Sequence, residues 1–98
     1  KKAARQNAAE QRRKLAPYRR EVEKAEKLLE KLIADKEKVD NRLSDPGLYE
    51  PGQENKVAKL SKMASELTNQ IEEAEEAWMA AEEAYATAQE TVNSEAAA

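Results

Sequence analysis

The side chains of this chain best suited to chemistry are its charges. Lys1, Lys2, Arg5, Arg12, Arg13, Lys14, Arg19 and Arg20 stand in the first twenty positions against a single carboxylate, Glu10. Cations gathered in this way suit phosphate oxyanions, which they hold by charge without reading bases. A solvated linker is the plain alternative for residues 1–14. The Glu pairs at 72–73, 75–76 and 82–83 carry the opposite charge. Paired carboxylates can act as acid and base or collect divalent ions, but these belong to a solvated helix face and form no defined coordination shell. The sequence has no His and no Cys, which excludes imidazole catalysis, disulfides and Cys/His zinc sites. It has no Gly-rich phosphate loop and no nucleophile beside a base. No enzymatic activity and no cofactor are expected of this stretch of chain.

The elements that must position these charges are helices. The 98 residues hold two Gly, three Pro, no Phe and one Trp, while 38% of them are charged. That is too little apolar bulk for a thick core and too few turn residues for a multi-stranded fold. Leu15, Val22, Leu29, Lys36 and Leu43 recur every seven residues, with Tyr18, Ala25, Leu32 and Val39 three after the first four of them. A second seam runs through Val57, Ala64, Ile71, Trp78, Tyr85 and Val92, interleaved with Leu60, Leu67, Ala74, Ala81 and Ala88. Such heptads specify helices that pair along one stripe. Between the seams, Ser44-Asp45-Pro46-Gly47-Leu48-Tyr49-Glu50-Pro51-Gly52 contains both glycines and two of the prolines, so the chain turns there. The fold class is therefore all-α, a two-helix antiparallel coiled-coil hairpin. Its helices are expected at about 16–44 and 53–93, with a turn at about 45–52 and a disordered tail at 94–98. Pro17 is tolerated only in a first helical turn, so residues 1–14 are expected to form a basic helical linker outside the seam.

Facing residues whose numbers total 103 keep the seam aligned, with Trp78 against Ala25, Ile71 against Leu32 and Leu43 against Leu60. A slip to 96 would set Trp78 against Tyr18 and Leu29 against Leu67. Positions 1–42 carry 14 basic and 8 acidic residues, and positions 44–98 carry 3 and 12, giving +6 and −9. An antiparallel hairpin lays these halves side by side, so most of the pattern is expected to pair the helices across the seam. Lys36 interrupts the first seam, its stem packing over Leu67 while its ammonium reaches solvent. Trp78, Tyr18 and Tyr85 fall on the seam and are expected to be buried rather than to stack on bases. Lys36, Lys38, Arg42, Lys56, Lys59 and Lys62 form a looser cationic group near the turn, diluted by Glu37, Asp40 and Glu54. No apolar run reaches the roughly 18 residues of a membrane span, and the basic start lacks the apolar stretch of a signal peptide. The reading is a cytoplasmic protein without membrane contact. The absence of an initial Met points to a piece of a longer protein, and this piece is expected to be monomeric.

The order Pro17-Tyr18-Arg19-Arg20-Glu21-Val22-Glu23, the Leu28-Leu29-Glu30-Lys31-Leu32 helix, the turn Leu43-Ser44-Asp45-Pro46-Gly47-Leu48-Tyr49-Glu50 and the late Glu73-Ala74-Glu75-Glu76-Ala77-Trp78 form a set. It resembles the C-terminal coiled-coil domain of ABC-F ATPases of the Uup and YheS type, over nearly all of residues 12–92. The Leu-Ser-Asp-Pro-x-Leu-Tyr turn followed some thirty residues later by Glu-x-x-Trp is its most specific part. The resemblance implies a tandem-cassette ATPase as parent, acting on ribosomes or nucleic acid, with ATP and Mg bound in cassettes whose motifs this chain lacks. For this chain it implies an arm in contact with DNA or ribosomal RNA. By matched position the phosphate contacts would be Arg12, Arg13, Lys14, Arg19, Arg20, Lys24, Lys27 and Lys31. The acidic second helix would repel a backbone laid across both helices, so binding is expected to be weak, one-faced and salt dependent. Two other readings stand beside it. One is the tRNA-contacting arm of a seryl or valyl aminoacyl-tRNA synthetase, which accounts less well for the turn and the late Trp. The other is a structural or protein-binding spacer, in which charge pairing between the helices is the whole account.

Overall fold

The computed structural model describes residues 2–97. Two long helices are joined by a short connection, making an all-α helical hairpin. Helix α1 is Lys2–Leu43 and helix α2 is Glu54–Ala97, with a 3-10 helix at Pro46–Tyr49 between them. No strand occurs among the described residues. Compactness divides the chain into two units. One is formed by the described residues up to Glu26 together with those from Glu76 onward, and the other by Lys27–Glu75.

The heptads dictate what is covered. In α2 the seam positions from Val57 to Val92 are all buried or half-buried, and every other residue of that helix is exposed. In α1 the seam behaves in the same way except at Tyr18, which remains 43% exposed. The preferred register sets Tyr18 against Tyr85, and two phenol rings do not fit one layer. Tyr85 is the half-buried ring, and Tyr18 lies at the rim of a groove shared with Ala84, Thr87, Ala88 and Thr91. Shared surroundings exclude the slip to 96. In the first unit Gln11 and Val92 line one groove, and in the second Val39 lines another with Met63, Glu66 and Leu67. A slip to 96 would have placed Gln11 beside Tyr85 and Val39 beside Val57.

Two expected boundaries are corrected. α1 does not begin near Ala16 but at Lys2, with Pro17 inside it. Residues 2–14 are thus one helix with the seam rather than a separate linker, and Lys1 lies outside the described residues. A proline in a helix interior leaves a carbonyl one turn earlier without its donor and costs about 3 kcal/mol. The compensation is on the other side of the proline, where Ala8 and Gln11 extend the heptad by one repeat and both are half-buried. At the other end, residues 94–97 of the expected disordered tail are helical, and Ala98 lies outside the described residues.

The turn uses nearly every residue of its motif. The last four carbonyls of a helix have no partner within it, and here each finds one. Ser44 donates to Asp40 O through its amide at 3.0 Å and its hydroxyl at 3.0 Å, and its amide also reaches Asn41 O at 3.2 Å. The Asp45 amide donates to Arg42 O at 3.2 Å, and the Tyr49 hydroxyl donates to Leu43 O. Asp45 then caps the 3-10 helix, its Oδ1 accepting from the Gly47 amide at 3.0 Å, with Pro46 at the first helical position. Gly52 has φ of +93°, and Gln53 O accepts from the Lys56 and Val57 amides to open α2.

These geometries separate the two glycines. A methyl group on Gly47 would meet nothing nearer than Asp45 Oδ1 at 3.5 Å, so Gly47→Ala is expected to leave stability within about 0.5 kcal/mol of wild type. Gly52→Ala meets open space but is forced into the left-handed region, at a cost of about 1 to 2 kcal/mol. Urea unfolding followed by circular dichroism distinguishes the two. Pro17→Ala should raise the protection of residues 2–16 in amide exchange by restoring the missing helical donor.

Candidate functional site

The eight cations singled out from sequence are all exposed, but they do not form one group. In the first unit, Arg12, Arg13, Arg19 and Arg20 line a furrow floored by Ala9 and Ala16, with Glu23 at its end. All seven residues come from α1. Helical spacing explains it: Arg13 and Arg20 lie five residues after the seam positions Ala8 and Leu15, on the far side of the helix from its partner. Arg12 and Arg19 flank the alanines on the other edge. Small residues between two rows of guanidinium groups leave room for a ligand oxyanion to approach several of them at once.

Lys14 is turned the other way. Its Nζ lies 3.2 Å from Glu95 Oε2 on α2, with the two side chains 50% and 56% exposed. Lys24 lies outside the furrow. Lys27 and Lys31 belong to the second unit, where they are exposed on α1. None of Arg12, Arg13, Arg19, Arg20, Lys24, Lys27 and Lys31 has a carboxylate within ion-pairing distance among the described residues.

The expectation that the charge pattern chiefly pairs the helices is therefore corrected. Among the described residues only Lys14–Glu95 joins α1 to α2, and the other ion pair, Lys36 Nζ to Asp40 Oδ2 at 2.7 Å, is one turn apart within α1. Placement accounts for Arg13 and Arg20, which lie opposite the seam and cannot reach α2. An exposed pair such as Lys14–Glu95 contributes about 0 to 1 kcal/mol in any case.

The cations near the turn are arranged differently. Asp35, Lys38 and Arg42 of α1 border a groove with Val39, Met63 and Leu67, which Glu66 and Gln70 line from α2. Lys56, Lys59 and Lys62 are exposed on the first turns of α2. Trp78 and Tyr85 are half-buried on the seam and offer no stacking platform, and the indole Nε1 of Trp78 is enclosed without an acceptor among the described residues. No cluster of carboxylates capable of holding a metal occurs among the described residues. Among the described residues no helix is long and apolar enough to cross a membrane.

Sequence reasoning did not foresee the furrow as a unit, nor Glu23 as its limit. The signal was the seven-residue spacing of Ala9 with Ala16, Arg12 with Arg19 and Arg13 with Arg20, which repeats out of phase with the seam.

Comparison with known proteins adds one finding. Residues 18–83 match the family model described as the ABC transporter C-terminal domain, which spans the turn motif and most of both seams. No curated protein and no solved structure matches the chain.

Lys36 offers a check on the seam. It is half-buried at a position that otherwise takes apolar residues, and its ammonium is held by Asp40. Lys36→Leu is expected to raise stability by about 1 kcal/mol, because apolar burial replaces a partly desolvated charge. Thermal unfolding should show the gain.

Proposed function

We propose, from the premise that the chain belongs to the ABC transporter C-terminal domain family, that it is the accessory arm of an ABC-F ATPase and touches nucleic acid through the outer face of α1. ATP hydrolysis is then the work of cassettes elsewhere in the parent. The observation that carries the reading is the Arg12, Arg13, Arg19 and Arg20 furrow, whose guanidinium groups the hairpin does not use. Four exposed arginines that form no ion pair among the described residues raise the local concentration of a polyanion and contact its phosphates. Alanines between them, and no aromatic group, give charge and shape but nothing that distinguishes one base from another.

The acidic residues of α2 limit the contact to one face. Glu76, Glu83 and Glu90 are exposed, and a backbone crossing from α1 to α2 would meet them. Whether the polyanion is DNA or ribosomal RNA is decided by the same experiment that tests the reading. The 15N-labelled chain is titrated with a short DNA duplex and with an rRNA stem-loop at two salt concentrations.

Salt-sensitive amide shifts confined to α1 around residues 9–23 are expected, and their absence at low salt would leave the arm as a spacer. Arg13→Glu with Arg20→Glu should reduce affinity at least tenfold while leaving unfolding within about 0.5 kcal/mol of wild type, because both residues lie opposite the seam. A large loss of stability with unchanged binding would instead favour the spacer.

A further inference from the structure

The outward faces of the two helices in the first unit are complementary to each other, yet neither can reach the other within one molecule. On α1, Arg13 and Arg20 stand seven residues apart on the face opposite the seam. On α2, Glu83 and Glu90 stand seven residues apart and five residues after the seam positions Trp78 and Tyr85, which is the corresponding outward position. Seven residues rise about 10.5 Å along a helix, so the two ladders have the same pitch. Ala80, Ala86 and Thr87, each three or four residues from one of the glutamates, are exposed beside them, whereas the groove that Glu83 shares with Ala84 and Thr91 is bordered by Lys14 and Tyr18 of the same molecule. Beside the arginines lie Ala9 and Ala16. Small side chains on both faces allow two helix backbones to approach closely enough for the charges to meet.

We propose that the anionic outer face of α2 binds the cationic outer face of α1 on a second copy of this chain. The contact uses different surfaces on the two molecules, so it is of the head-to-tail kind that leaves a free cationic face at one end and a free anionic face at the other. It goes beyond the nucleic-acid reading, because it takes a protein partner on the same arginines. The monomer expected from sequence follows from the two seams closing on one another, and the outer faces add a contact that closure leaves open. Since the attraction is between exposed charges, it is strong at low ionic strength and lost at high.

The test needs no nucleic acid, so its outcome is separate from that of the arm reading. Two variants are made, Arg13→Glu with Arg20→Glu and Glu83→Lys with Glu90→Lys. Each then carries like charge on both outer faces. Sedimentation equilibrium at about 0.01 M ionic strength, where the Debye length is about 30 Å, should give a mass for wild type that rises with concentration above 11.0 kDa. Each variant alone should stay at the monomer mass, and an equimolar mixture of the two should regain association, since the reversed α1 face of one now meets the reversed α2 face of the other. At about 1 M salt, where the Debye length is about 3 Å, all samples should be monomeric.

Wild type that remains monomeric throughout overturns the proposal. So do variants that associate singly as well as wild type does, which would place the contact on the seam edges. The neutral pair Arg13→Ala with Arg20→Ala, whose helix propensity favours the fold, guards against a variant that fails to fold and should also lose association.

Discussion

Each helix has one apolar stripe, and among the described residues the other helix is what covers it. That constraint governs the rest. With two helices and no third layer, Val22, Val39, Leu60, Ala74 and Val92 are the only apolar residues that become buried among those described, and no side chain falls below 2% exposure. A core of this thickness tolerates little polar interruption, and among the described residues Lys36 is the one half-buried charge at a seam position, steadied by Asp40. The remaining faces are free of folding duty. What stands on them is set by solubility, by partners, or by both.

The hairpin was largely legible because period and position are properties of the sequence itself. Every seam position of α2 is covered, and the turn falls where the glycines and prolines cluster. The turn motif also has a mechanical meaning: Ser44, Asp45 and Tyr49 between them satisfy the carbonyls that end α1. Pro17 misled because its local cost is certain while its compensation is not local. Ala8 and Gln11 continue the heptad, but a small residue and an amide do not announce a seam, and only packing against α2 shows that they belong to it.

The charges were legible as a composition and not as a geometry. A cationic helix beside an anionic one suggests pairing, and the net charges of the halves encourage that view. Heptad phase decides otherwise, since Arg13, Arg20, Glu83 and Glu90 all occupy positions that point away from the partner helix. Lys14 and Glu95 meet because they lie beside the seam. The same letters in the sequence therefore serve different ends according to their offset from Leu15 or Trp78.

The turn also sets an order of assembly. Pairing Leu43 with Leu60 closes a short segment whose geometry the 3-10 helix and its caps already hold, whereas bringing Gln11 to Val92 requires nearly the whole chain to be gathered. Loop-closure entropy makes distant pairings depend on nearer ones, so the hairpin zips from its turn towards its termini and opens in the reverse sense. The arginine furrow sits on the part that closes last. A polyanion or partner that requires that stretch of α1 to be helical therefore adds its binding free energy to the final turns of the zipper, coupling occupancy of the outer face to how far the two helices remain closed.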